Sequence, residues 1–224
     1  MKRKLKILVA CEESQRVTIE LRKLGHEAYS NDTMECSGGH PEWHIKGDCI
    51  KEAYSKKYDM MIAFPPCTYL SFAGIGAFKN KDRSPNLERY KKRDLALDFV
   101  RTLMKAPIDH IAIENPMGFI GTKIRKHDQI IHPYYFGDSF QKRTLLWLKN
   151  LPTLIPTNIV GKGEMRRKVR MSGVTKGDVR YMPVWYSKGG KERQKNRSKT
   201  FPGVAKAMAT QWTKRLYKNQ MLKL

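Results

Sequence analysis

Three features of the sequence predict an α/β fold built on a Rossmann-like, mostly parallel sheet. Apolar runs at Lys6–Cys11, Met60–Phe64 and His110–Ile113 are short and bounded by polar or turn-forming residues, as in strands covered on both faces. Segments with apolar residues at helical spacing lie between them. Two of the runs also end in a reactive side chain beside proline: Cys67 follows Pro65-Pro66, and Glu114-Asn115 precedes Pro116. In open α/β sheets, strand ends of this kind face the ligand crevice.

Taken in order, Lys6–Cys11 opens the chain as a parallel strand would. Val17, Leu21 and Leu24 then mark a helix over Ser14–Leu24, with Gly25 as its C-cap. His26–Ser30 begins a second strand and closes a βαβ unit of about 30 residues. Asn31-Asp32 sits at its end, where an acidic residue can accept hydrogen bonds from ribose hydroxyls or simply shape a turn. The loop after the first strand, Cys11-Glu12-Glu13-Ser14-Gln15, has no glycine and two carboxylates. It therefore disfavours a pyrophosphate-bearing dinucleotide and tolerates a cationic cofactor.

The loop Cys36–His44 carries two histidines but no third ligand, so no metal site is expected. Asp48 is placed to cap a helix over Ile50–Lys56 or to contact a cofactor. Proline fixes φ, so Pro65-Pro66 presents Cys67 in a defined extended geometry at the end of the Met60–Phe64 strand. Gly74–Asn86 reads as a mobile loop, and Leu87–Lys105 as a long amphipathic helix carrying Tyr90, Leu97, Val100 and Met104 on one side. Gln129–Phe136 is an aromatic, proline-containing connection, and Leu145–Leu148 the last convincing strand. Val204, Met208, Trp212 and Leu216 form a core-facing stripe on a closing helix over Gly203–Leu216.

Composition narrows the partner. The 224 residues include 44 Lys and Arg against 21 Asp and Glu, a formal net charge of +23 that points to a phosphate polymer. The excess is concentrated between Leu151 and Thr200, where Arg166, Arg167, Lys168 and Arg170 cluster and Tyr181, Trp185 and Tyr186 add stacking surfaces. Three parts are expected: a core over 1–150, a basic nucleic-acid segment over 151–198, and a helix over 199–224 that packs back on the core. No run approaches the roughly 18 apolar residues of a membrane span. The lysine-rich start lacks the apolar segment of a signal peptide, so a cytoplasmic protein with no membrane partner is expected. The four cysteines form no C-x-x-C pair, and reduced thiols are the expectation.

In series, YSND (Tyr29–Asp32), KGD (Lys46–Asp48), FPPCTYLS (Phe64–Ser71), IENP (Ile113–Pro116) and QKR (Gln141–Arg143) resemble the DNA (cytosine-5) methyltransferase family, specifically its short, divergent phage and prophage members. KTFPGVAKAMATQW (Lys199–Trp212) resembles that family's closing motif. The resemblance implies methyl transfer from S-adenosylmethionine to C5 of cytosine in DNA, with the base flipped out of the duplex. Cys67 would be the nucleophile that adds to C6, Glu114 would grip the base edge, and Arg143 would hold the base and help ionise the thiol. Cys11, Glu12, Asp32, Asp48 and Pro65 would line the cofactor site. Pro66, Ser71, Asn115, Gln141, Lys142, Arg166, Arg167, Lys168 and Arg170 would meet DNA.

The chain departs from the family in two places. Cys11–Gln15 replaces the family's phenylalanine and glycines, and Leu145 stands where a second arginine usually follows QKR. Two other readings follow: C5 modification of another pyrimidine, such as uracil or a modified base in DNA or RNA, and a basic DNA-binding decoy without turnover.

Overall fold

Apolar side chains alternate between the two faces of a seven-stranded sheet, and each face is covered by helices. The computed structural model describes residues 4–55, 57–163, 165–169, 179–183 and 199–221. The sheet strands are β1 (Lys6–Ala10), β2 (Glu27–Asp32), β3 (His44–Lys46), β4 (Met60–Ala63), β5 (His110–Asn115), β6 (Gln129–Ile131) and β7 (Thr144–Lys149), in the spatial order β3-β2-β1-β4-β5-β7-β6. From β3 to β5 neighbouring strands are parallel, whereas β7 runs antiparallel to both β5 and β6. The chain winds outward from β1 in one direction and then, from β4, in the other. Its topological switch therefore lies between β1 and β4, where an α/β sheet opens a ligand crevice at the strands' carboxyl ends.

Ile7, Val9, Met60, Ile62 and Ala112 face α1 (Arg16–Lys23) and the closing helix α5 (Pro202–Met221) in one core cluster. Leu8, Ala10, Met61, Ala63, Ile111 and Ile113 form the opposite core with α3 (Leu87–Met104) and the short helices α2 (Cys49–Ala53) and α4 (Phe119–Lys123). On α5, Val204, Met208, Trp212 and Leu216 are all buried, and Trp212 Nε1 donates to the Pro152 carbonyl at 2.9 Å.

Several expectations are corrected. Gly74–Asn86 is more structured than a plain loop: Phe72–Phe78 forms a 3-10 turn, Phe78 is buried against Tyr90 and Phe119, and Lys79 bridges to Pro85. Anchoring by the two phenylalanines outweighs the flexibility of the glycines. The Gln129–Phe136 connection begins as an edge strand, β6. The chain continues beyond β7 into an antiparallel hairpin, β8 (Met165–Val169) with β9 (Val179–Pro183), which places Arg166, Arg167 and Lys168 on β8. Arg170, Trp185 and Tyr186 lie outside the described residues. No helix among the described residues is long and apolar enough to cross a membrane.

Candidate active site

Glu114 lies on β5 and Cys67 on the exit from the adjacent parallel strand β4, and both strands leave the sheet at the same edge. In the register, Ala63 lies opposite Ile113, so the exits Phe64–Cys67 and Glu114–Pro116 run side by side. Four backbone-level contacts join them. Asn115 Nδ2 donates to the Pro65 carbonyl at 2.7 Å, Phe72 N to Met117 O at 3.1 Å and Phe119 N to Leu70 O at 2.8 Å. Gly118 meets the Leu70 carbonyl so closely that an added Cβ would come within 1.8 Å of it. Glycine is needed there for that approach.

Cys67 is exposed and in no disulfide, and its carbonyl accepts from Leu70 N and Ser71 N at 3.0 and 2.9 Å, closing a tight turn. The half-buried Ser71 starts the 3-10 turn by accepting from Ala73 N. Pro66 is exposed beside Cys67.

Glu114 points to the α5 side of the sheet. It lines a cavity of about 20 Å³ with Phe64, Lys142, Thr144, Phe201 and Met208, large enough for a water and not for a pyrimidine. Burial pushes its carboxyl above the usual range, partly offset by the Lys142 charge and by a hydrogen bond from Thr144.

Lys142 and Thr144 face Glu114 because alternate residues of an extended segment share a side. Arg143 therefore turns away: it is exposed, and its charge acts on His132. Lys142 is thus the cation beside the Glu114 carboxyl, while Arg143, expected to hold the base and help ionise the thiol, lies on the exposed side of the same segment. Gln141 is half-buried just ahead of it.

A guanidinium from α3 also reaches the Cys67 turn. Arg89 Nη2 donates to Thr68 O at 3.2 Å, and its guanidinium lies 5.1 Å from the ring centres of both Tyr69 and Phe78. No motif marks Arg89 in the sequence, since it reads as one of many cations on the solvent side of a helix.

Two further assignments are corrected. Asn115 is only 1% exposed and ties the two exits together, so it is a staple rather than a DNA contact. Pro65 is likewise buried, and its carbonyl is taken by that staple.

On the other side of the switch, Cys11, Asp32 and Asp48 gather at the ends of β1, β2 and β3. Cys11 Sγ lies 3.6 Å from Cys49 Sγ, and this contact, burial and the Asp32 and Asp48 charges raise its thiol well above the ordinary value. Asp48 is exposed and caps α2, accepting from Ile50 N at 2.8 Å. Asp32 is half-buried and accepts from Met34 N at 3.0 Å. Between them, the buried Asn31 donates to Ile45 O at 2.6 Å, while its Oδ1 has no partner among the described residues.

Glu12 is not positioned as a cofactor contact. It is 4% exposed and its two oxygens accept from Val17 N, Thr18 N and Thr18 Oγ1 at 2.7, 3.2 and 2.8 Å. It serves as the N-terminal partner of α1, whose own N-cap, Gln15, offers no side-chain bond and instead clasps His40 through N and O. Burial pushes the Glu12 carboxyl up to about 7 against the lowering effect of those donors.

A roomier cavity of about 420 Å³, lined by Met104, Ile111, Arg125, Trp147 and Lys149, opens at the amino end of β5, away from Cys67. Its polar heads are committed: Arg125 to Asp128, Lys149 to the Ile108 carbonyl, and Trp147 Nε1 to the Arg125 carbonyl. No group of three or more metal-ligating side chains occurs among the described residues.

No family model matches the chain, and no curated protein matches it. Among solved structures, a protein described as a DNA modification methyltransferase encoded within an E. coli prophage is similar over 70% of this chain and 52% of its own, at 13% identity and a TM-score of 0.44. The Dnmt2 methyltransferase of S. pombe is similar over 67% of this chain and 51% of its own, at 16% identity and a TM-score of 0.43. The chain spans about half the length of these structures. At such identities, function has to be argued from the residues of the site.

Proposed function

We propose that the chain transfers a methyl group from S-adenosylmethionine to C5 of cytosine in DNA through a covalent bond between Cys67 and C6 of the base. The observation that carries this reading is the stapled pair of strand exits, with an exposed thiol on one and a carboxyl of raised proton affinity on the next.

The residues at the ends of β1 to β3 suit the cofactor. Asp32 offers a carboxylate to ribose hydroxyls and Asp48 one to an adenine amino group. When bound, S-adenosylmethionine supplies an electrophilic methyl group.

Cytosine C5 is a poor nucleophile until its ring loses aromaticity. The Cys67 thiolate adds to C6, the C5–C6 double bond opens, and its electron pair moves onto C5. Because burial keeps a proton on Glu114 to higher pH, that carboxyl can share it with N3 as negative charge builds on the ring. Arg89, at the Thr68 carbonyl, fixes the turn that follows Cys67. Once C5 is substituted, loss of its proton restores the double bond and expels the thiolate. The narrow cavity beside Glu114 means that the base enters with a shift of the Thr200–Phe201 cover.

Another pyrimidine acceptor is favoured by one observation: Leu145 is 3% exposed in the core and gives the base no donor where the resemblance leads one to expect arginine. Nucleoside mass spectrometry after incubating DNA with the protein and S-adenosylmethionine separates the two. A gain of 5-methylcytosine supports the cytosine reading, and its absence alongside another methylated pyrimidine replaces it.

A further inference from the structure

We propose that the aromatic turn after β6 is a nucleotide-binding shelf, on which an unpaired base flanking the target stacks against His132 and Tyr134 while its phosphate is held by Arg143 and Lys162. The inference rests on the reading of the chain as a nucleic-acid-modifying protein and adds a site that neither the motifs nor the Cys67–Glu114 pair requires.

Three separate segments converge here. His132 and Tyr134 follow β6, their rings stacked with centroids 5.2 Å apart. Arg143 comes from the approach to β7, and Lys162 from the return after it, with Nζ 5.8 Å from the Tyr134 ring centre. Burial, and then the Arg143 and Lys162 charges, push the His132 imidazole below its ordinary range, as both cations act on the shelf.

The shelf is rigidly built. Tyr134 N donates to Phe140 O at 3.2 Å, Val160 N to Tyr134 O at 2.9 Å, and Gly203 N at the start of α5 to Asp138 Oδ2 at 2.8 Å. Gly163, at φ +79°, crosses so near Ser139 O that an added Cβ would lie 1.8 Å away. Preorganisation of this kind lowers the ordering cost of binding.

Its position fits a strand leaving the active site. β6 ends at the same sheet edge as Glu114 and Cys67, and Lys162 lies just ahead of β8 with its Arg166, Arg167 and Lys168. Tyr134 is half-buried and Lys162 exposed. An exposed ammonium holds a ring weakly, whereas a base stacks on it more strongly. A base arriving at the shelf therefore displaces the ammonium from the ring and leaves it beside the phosphate.

The test uses the full chain and a fluorescent single-stranded oligonucleotide of adenine and thymine only, titrated at several salt concentrations. Because it contains no cytosine, binding is read independently of methyl transfer. Tyr134→Ala is expected to weaken binding by about tenfold with an unchanged salt slope, and Tyr134→Phe to bind like the wild type. Lys162→Ala is expected to weaken binding and reduce the salt slope by about 0.7.

Photo-crosslinking of the unaltered protein to a 5-iodouracil oligonucleotide, mapped by peptide mass spectrometry, needs no variant to fold and should mark His132 or Tyr134. Wild-type affinity in folded Tyr134→Ala, or crosslinks confined to other segments, overturns the shelf. Tyr134-dependent binding of this oligonucleotide, alongside no 5-methylcytosine in cytosine-containing DNA incubated with the protein and S-adenosylmethionine, overturns the methyl-transfer reading and leaves the shelf standing.

Discussion

The two halves of the sheet's carboxyl edge carry opposite charge. From β3 to β1 the edge presents Asp48, Asp32 and Cys11, with Glu12 tucked beneath. From β5 to β6 it presents Lys142, Arg143 and, from the return segment, Lys162 beside His132 and Tyr134. The acidic half ties its carboxylates to backbone N–H groups and keeps Asp48 exposed. The basic half spreads its cations along a rim of aromatic rings. Under the proposed function, a sulfonium-bearing donor would suit the first and a polyanion the second, with Cys67 at the seam between them. The difference teaches that charge alone would sort two such ligands to either side of Cys67 before any specific contact forms.

The largest expected effect tests the seam. Cys67→Ala should lower methyl transfer at least about a thousandfold while retaining DNA affinity, because the side chain is exposed and small. Equal loss of binding and transfer would instead make Cys67 a contact residue. Next, Glu114→Gln should lower the rate by about a hundredfold, measured in single turnover with saturating DNA, since the amide cannot yield a proton to N3.

A third experiment sharpens the claim that Glu12 is structural. Its carboxyl ordinarily titrates near 4.5 and in the fold near 7, raised first by burial. The folded protein thus holds this proton more tightly than the unfolded chain. Its contribution to stability falls as pH rises from about 4.5 to 7, and is level on either side. Over that window Glu12→Gln should gain stability relative to the wild type by on the order of 3 kcal/mol, read from denaturant unfolding. A difference independent of pH would contradict the buried carboxylate. The smallest effect tests the acidic half: Asp32→Asn, which keeps the acceptor for Met34 N, should weaken S-adenosylmethionine binding about tenfold by calorimetry and leave DNA binding unchanged.

The strands β1, β4 and β5 and the helices α3 and α5 were legible because each is an uninterrupted apolar run or a stripe that must be buried. The direction of β7 was not, since an apolar run reads the same in parallel and antiparallel pairing. β6 has three residues and exists only by pairing with β7, while β8 (Met165–Val169) is mostly cationic and shows no apolar alternation. The placement of Cys67 and Glu114 at neighbouring strand exits was legible from their prolines. Glu12 misled because a carboxylate that caps a helix from outside its first turn has no sequence signature. The facing of Lys142 toward Glu114 was readable in principle: Thr144 faces the carboxyl, and two-residue alternation then places Lys142 there too. Arg89 reaches the Cys67 turn only through tertiary packing of α3.

The central claim is that the Cys67 sulfur bonds to a pyrimidine ring. It is tested most directly by incubating the protein with S-adenosylmethionine and duplex DNA containing 5-fluorocytosine, whose fluorine cannot leave as a proton does. The account predicts a denaturation-resistant protein–DNA adduct whose tryptic peptide is modified at Cys67, absent without the methyl donor and absent in Cys67→Ala. A methylated product with no adduct, or an adduct that persists in Cys67→Ala, would contradict it.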